Sequence, residues 1–420
     1  MKRPSQSYMS GGVYPRGAAS VWLVNLFFGE GVAPTGFLLE SLAVKLQEQG
    51  WLVEVLTGQV GYNAAQTGVR QRFSGKVVHL GNRLISAAGF GGRLFSWLAL
   101  YASVAWFAFT HPLPSHVVIM TTPPYLHLLF VVRNLLTWRK AELILWNQDT
   151  YPEVLPSVGL VRANSIIYRL LVRLDRWATA RIDKTIVLDQ AMRDILANHG
   201  ARHIRVIPNW ELDLPKPAEL SNQELAACVA AAKETARCLI LYTGNYGWGH
   251  DLNNACEYLR RHSEQKSLFF LFVGGGEKWP QLLELHRQLP SAAVAVFPYQ
   301  PKADLPALIN HADLGLVAME QSCLGLMSPS KIHGYLLQGK PLLYLGQPGS
   351  NVDDAITGYQ CGFRVDEKDY PAFEQLLDGL AGGRIALDKL AANAKRAAVD
   401  RYVEKVGVAE VAAYIQGDVG

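Results

Sequence analysis

The chain has 420 residues, half of them apolar and 18% charged, with a formal net charge of +4 at pH 7. That composition excludes disordered and fibrous classes, and the length asks for two or three domains rather than one core. So small a net charge does not point to nucleic acid, and no nucleic-acid partner is expected. Five cysteines, Cys228, Cys238, Cys256, Cys323 and Cys361, all lie in the second half without a Cys-x-x-Cys pair. They read as reduced, packed thiols of a cytoplasmic protein.

In chain order, residues 1–20 are basic and polar with no apolar run of signal-peptide length behind them, which predicts a flexible tail. Short β-rich apolar runs then alternate with segments of helical period. They are "VWLVNLFF", "WLVEVLTG", "KVVHLG", "HVVIMTT", "AELILWNQ" and "KTIVLD". This is the pattern of parallel βαβ units in one doubly wound sheet, expected over 21–208. The apolar stretch Leu94–Phe109 has sixteen residues, whereas a bilayer span takes roughly 20. Two alternatives stand for it: a buried core helix, or a helix touching a membrane interface. Trp97, Tyr101 and Trp106, with Arg93 beside them, suit the interface. So does the next apolar segment, "YLHLLFVVRNLLTWRK", with Arg133, Arg139 and Lys140. Residues 94–140 are therefore the expected membrane-facing part.

At "VIPNWELDLPKPAEL" three prolines break the rhythm, and 209–217, with Glu211 and Asp213, reads as a hinge. A second set of strands follows: "CLILYTGN", "LFFLFVGGG", "AVAVFPYQ", "DLGLVAM", "PLLYLG" and "CGFRV". A second domain over 218–387 repeats the plan of the first. From 388 to 420 the chain is helical and Ala-rich, with no strand to lead into, which predicts helices returning toward the first domain. The fold class is α/β, two Rossmann-like doubly wound domains facing a cleft, and a ligand bridging them belongs in that crevice.

The loops of the second half carry phosphate-site chemistry. "YTGNYGWGHDL" follows a strand with Gly244, Asn245 and His250, and "VGGGEKW" contains Gly275. In "SPSK", Ser330 stands at a helix start and Lys331 in its first turn. A lysine there opposes the helix dipole unless an anion is bound. Lys331 and Ser330 are the leading diphosphate ligands; the alternative is an ordinary cap with a solvated lysine. Thr35 and Gly36 lie in the loop facing the crevice from the first half, as contacts to the donor phosphate or the acceptor, or as part of a plain turn. Asp149 and Glu153, in "NQDTYPE" after a strand's carboxyl end, are candidates for holding acceptor hydroxyls or moving a proton, or for capping the next helix.

The order of "APTGFLL", "TTPP", "NQDTYPEV", "VLDQAM", "IPNW", "YTGNYGWGHDL", "FVGGG" and "SPSKIHGYLLQGKPLLYLG" resembles the family-4 branch of the GT-B glycosyltransferases, over about residues 21–400. The resemblance implies retaining transfer of a sugar from a nucleotide-sugar, usually UDP-linked, to a glycan or lipid-linked acceptor in surface polysaccharide or glycolipid synthesis. It implies no metal and no cofactor, and no Asp-x-Asp cluster lies in a suitable loop. A cytoplasmic protein, peripheral on the inner face of the membrane, is the expected setting. Two departures stand out. The paired glutamates that many members carry are Leu326 and Gly334 here, and an arginine frequent in the Gly-rich loop is Trp248. They leave open a sugar-nucleotide epimerase on the same scaffold, or a non-catalytic nucleotide-sugar-binding protein.

Overall fold

In the computed structural model the described residues are 19–29, 33–58, 71–80, 90–121, 124–137, 140–211, 219–289 and 293–417, with side chains of 90–97 excepted. The expected tail (1–20) and hinge (209–217) fall largely outside them, as does Asp213.

The first sheet has seven strands: β1 (Ser20–Asn25), β2 (Leu52–Gly58), β3 (Lys76–Leu80), β4 (His116–Met120), β5 (Glu142–Trp146), β6 (Lys184–Val187) and β7 (Ile204–Val206), in the order β3-β2-β1-β4-β5-β6-β7. Its helices are α1 (Pro34–Glu48), α2 (Phe90–Thr110), α3 (Leu126–Leu136), α4 (Val154–Ser157), α5 (Ile166–Thr179) and α6 (Gln190–Asn198). The second sheet has six strands, β8 (Cys238–Asn245), β9 (Leu268–Gly275), β10 (Val294–Pro298), β11 (Leu314–Ala318), β12 (Leu342–Leu345) and β13 (Gly362–Val365), in the order β10-β9-β8-β11-β12-β13. Around it lie α7 (Gln223–Thr235), α8 (Asn253–Arg261), α9 (Trp279–Gln288), α10 (Leu305–His311), α11 (Lys331–Leu337), α12 (Asn351–Tyr359) and α13 (Tyr370–Ala381). Every strand pair is parallel. Each order reverses beside the first strand of its sheet, which puts a topological switch point at the carboxyl ends of β1 and β8.

Local chemistry sets the helix starts. Asp189 caps α6 by accepting from Met192 N at 2.9 Å, and Ser350 caps α12 through Asp353 N at 3.2 Å, each satisfying an amide the helix leaves open. Both caps lie at the seam between sheets. Asn351 N donates to Asp189 Oδ2 at 3.3 Å and Ala191 N to Gly349 O at 3.0 Å. Each sheet is buried on both faces, which explains why its central strands read as unbroken apolar runs.

After α13 the chain enters α14 (Asp388–Ala397), packed against α11 and α12, then α15 (Glu404–Gln416), packed against α1. Glu211 and Val403 pair where the two crossings run side by side, with Glu211 N donating to Tyr402 O at 3.1 Å. α15 is held by Arg72–Glu404 at 2.8 Å and by Lys184 Nζ donating to Ile415 O at 3.1 Å.

α2 is a core helix on one side and exposes large apolar side chains on the other. Leu100, Val104, Phe107 and Ala108 are buried, while Trp106 is 73% and Leu98 57% exposed. Arg133 corrects the sequence reading. It does not point outward but is buried, with Nε donating to Ala108 O at 2.7 Å. Tyr101 also turns inward, its hydroxyl donating to Pro124 O. Among the described residues no helix is long and apolar enough to cross a membrane.

Candidate active site

A cleft of about 460 Å³ opens beyond the carboxyl end of β8, walled by Thr243, Gly244, Asn245, His250, Ser330 and Lys331 among others. Five residues named from sequence therefore meet in one place: Gly244, Asn245, His250, Ser330 and Lys331. Gly244 has φ +101°, a conformation that side-chain-bearing residues seldom adopt, and so lets β8 turn sharply into its loop.

Lys331 is the dominant feature. Its Nζ is buried with no hydrogen-bond partner and sits 3.6 Å over the Tyr242 ring. A cation–π contact replaces part of the lost hydration but offers no acceptor. Burial pushes the ammonium pKa down to about 7. The solvated-lysine alternative is thus not what the structure shows. Nor does Ser330 cap the helix, since its side chain makes no capping bond and the residue is exposed beside the cleft. The helix is fixed by other means. Tyr335 donates its hydroxyl to Leu241 O at 2.9 Å and accepts from Thr243 N at 3.1 Å. Asn351 Nδ2 holds Pro329 O at 3.0 Å.

His250 donates Nδ1–H to Ala318 O at 2.8 Å, which leaves Nε2 as an acceptor. Burial, then the charge of Lys331, pushes its pKa down to about 4, so the ring is neutral at pH 7. A second cation stands behind this loop. Lys278 donates to Trp248 O at 3.2 Å and His250 O at 2.8 Å, and pairs with Glu320. Its charge is engaged in holding the loop.

Other expected residues lie apart from this cleft. Gly275 ends β9, where Tyr299 packs onto it, outside the cleft wall. Thr35 and Gly36 open α1 on the facing half. Thr35 Oγ1 is buried without a partner, and Gly36 O accepts from Gly29 N at 3.1 Å. Asp149 follows β5 at the seam. Its backbone N–H donates to Thr121 Oγ1 at 3.2 Å, and burial pushes its carboxyl up to about 6. The adjacent Thr150 joins the halves, its N donating to Leu326 O at 2.9 Å and its Oγ1 to Gly325 O at 2.7 Å. Gly325 has φ +73°, and a Cβ there would lie 2.7 Å from Ile195 Cδ1 and 2.8 Å from the Ala191 carbonyl carbon. Only glycine allows this approach.

Glu153 differs from the sequence expectation. Its carboxylate pairs with His199 Nε2 at 2.9 Å, His199 Nδ1 meets Asp175 at 2.9 Å, and His127 lies 3.3 Å from the same Asp175. That chain is inside the first half and away from the cleft. Burial opposes protonation of His199, but the two carboxylates carry its pKa up to about 9.

Leu326 and Gly334 confirm that no carboxylate occupies either glutamate position. Leu326 is buried, and Gly334 lines the cleft opposite Ile309. Glu211, read from sequence only as a hinge residue, lines the same cleft, as do Tyr299 and Lys302. The signal for the latter pair was available, since "PYQPK" follows a strand's carboxyl end. Among the described residues no cluster of three His, Cys, Asp or Glu is placed to hold a metal ion.

Comparison with known proteins agrees with this architecture. Residues 37–210 match the model of the glycosyl transferase 4-like domain. WbjE of Pseudomonas aeruginosa, named as a probable glycosyltransferase, is 23% identical over 65% of this chain and 68% of its own length. WcaI of Escherichia coli (strain K12), named for glycosyl transfer in colanic acid biosynthesis, is 24% identical over 47% of this chain and 50% of its own. Among solved structures, Anabaena HepE with UDP and glucose has a TM-score of 0.64 at 15% identity, covering 94% of this chain and 99% of its own. WaaG, a glycosyltransferase involved in lipopolysaccharide biosynthesis, has a TM-score of 0.62 at 17% identity, covering 95% and 100%. Residues 37–210 thus carry a glycosyl transferase 4-like domain, and the two parallel sheets with their switch points at one seam share the two-domain fold of these solved glycosyltransferase structures.

Proposed function

We propose that the protein transfers a sugar, with retention, from a UDP-linked donor to a glycan or lipid-linked acceptor in the assembly of a bacterial surface polysaccharide or lipopolysaccharide. The observation that carries this reading is the Lys331 ammonium, buried in the cleft with no acceptor. A diphosphate supplies the missing acceptor, and the ammonium in turn offsets charge growing on the leaving phosphate. Lys331 and main-chain amides fill the role in which a metal would otherwise act, so transfer is metal-free. Ser330, Gly244, Asn245 and His250 complete the donor contacts. Asp149, across the seam, holds an acceptor hydroxyl and assists its proton.

HepE, solved with UDP and glucose, and WbjE and WcaI, with their names, support the donor and pathway class. The exposed apolar side chains of α2 and α3, Trp106 and Leu136 among them, support a cytoplasm-facing enzyme resting on the membrane through residues 94–140. The test is a melting-temperature panel of nucleoside diphosphates. A ligand that binds only the folded state raises stability by about 2.7 kcal/mol at 100 times its Kd. UDP is expected to shift the wild type and not Lys331→Ala. No shift with any nucleoside diphosphate overturns the reading.

A further inference from the structure

An apolar groove of about 550 Å³ runs between α2, α3 and α5, with Tyr101, Phe109, Tyr125, Leu128, Leu129 and Leu174 in its walls. Its size falls within the roughly 300–1,000 Å³ of pockets that hold small ligands. We propose that this groove seats the hydrocarbon chain of an anionic lipid acceptor, an inference that rests on the lipid-linked acceptor reading above and adds where the chain is held.

Three observations commit the groove to that occupant. First, α5 presents two adjacent outward stripes. Ile166, Ile167, Leu170 and Leu174 form an exposed apolar stripe, and Arg169, Arg173 and Arg176 an exposed basic one beside it. Among the described residues no carboxylate pairs with these arginines. An apolar stripe next to an arginine stripe complements a hydrocarbon chain bearing a phosphate. A second copy docking through the same face would instead set like charges against one another.

Second, Phe109 both walls the groove and stands exposed, and the helices that carry the groove, α2 and α3, also expose Trp106, Leu135 and Leu136. A chain therefore meets an apolar side chain at the groove's mouth, Phe109. Third, the groove adjoins the segment that follows β5. The Tyr125 hydroxyl is buried and unbonded, and the Tyr125 ring lies 6.3 Å from Tyr151, two residues beyond Asp149. The Tyr125–Tyr151 contact thus puts the groove next to the segment that carries Asp149.

Hexadecyl phosphate with a diazirine in its chain tests the assignment, since irradiation marks the residues that touch the chain. Crosslinks are expected within α2, α3 and α5, on peptides covering 98–110, 124–137 and 166–177. Leu129→Trp, which fills the groove, is expected to lower affinity roughly tenfold while leaving the UDP-induced melting shift unchanged. Leu174→Asn, at an exposed edge where folding is little affected, is expected to act in the same direction. Crosslinks on other surfaces, or labelling indifferent to both substitutions, overturn the proposal. So does a wild-type dimer that becomes a monomer on Leu129→Trp without labelling, which assigns the face to self-association. Groove labelling in a protein that ignores UDP keeps the chain site and removes the donor reading, so the two failures are distinguishable.

Discussion

Around the second sheet, the large apolar side chains are nearly all buried, and polar chemistry is confined to loops at the strand ends. In the first half, large apolar side chains stand exposed between Leu98 and Leu174, on three helices and at Leu160 in a loop. Outside that interval only Leu283, Tyr299 and Val399 do so among the described residues. Both sheets are wound alike, so strand order does not cause the difference. On the proposed function, what differs is the partner each half meets. A small charged ligand needs one buried cation and a shaped loop, whereas an amphipathic one needs apolar surface at no folding advantage.

The largest expected effect breaks the second half's side of that comparison. Lys331→Ala removes the cleft's buried ammonium, and kcat/KM in a donor-consumption assay is expected to fall by roughly 100-fold or more. Asp149→Asn comes next, with a roughly tenfold or larger fall in kcat and little change in donor affinity. Because burial pushes this carboxyl up to about 6, wild-type kcat/KM is expected to decline below about pH 6 as Asp149 protonates. The Asn variant is expected to lack that limb, and a pH–rate profile checks both.

Gly325→Ala sharpens the contrast between a half and the seam joining the halves. Left-handed backbone and contact with Ala191 and Ile195 oppose any Cβ there. A loss of about 1–3 kcal/mol is expected in the closed arrangement, read as a compaction change in small-angle scattering. Glu153→Gln is expected to act on stability alone, by about 1–3 kcal/mol in denaturant unfolding, with donor affinity unchanged. His199 has a folded pKa of about 9 against 6.5 unfolded. Its stabilisation is therefore full below about pH 6.5 and lost as pH rises through about 9. Glu153→Gln is expected to flatten that dependence.

Much of the scaffold was legible because central strands buried on both faces must be continuous apolar runs, as "LILY" in β8 and "LLYL" in β12 are. β7 escaped notice. It is three residues long and half-buried, so the alternation of Ile204, Arg205 and Val206 is too short to mark a strand. Lys331 was visible as a cation placed against a helix dipole. That its Nζ lies over Tyr242 was not, because Tyr242 belongs to a strand some ninety residues earlier. Arg133 and Glu153 were misread for the same kind of reason. Each charge is answered by a group on another helix or at its end, Ala108 O for one and His199 for the other. The stripes of α5 were readable from helical period, and only the packed structure reveals that they border a groove.

The central claim is that the Lys331 ammonium grips a diphosphate. Burial holds its pKa at about 7, and an anion beside it raises that value. Calorimetric titration with UDP at pH 8, in buffers of different ionisation enthalpy, measures the proton this requires. Uptake approaching one proton per bound nucleotide is expected, and none in Lys331→Ala. UDP binding without proton uptake, equally tight in both proteins, would contradict the account.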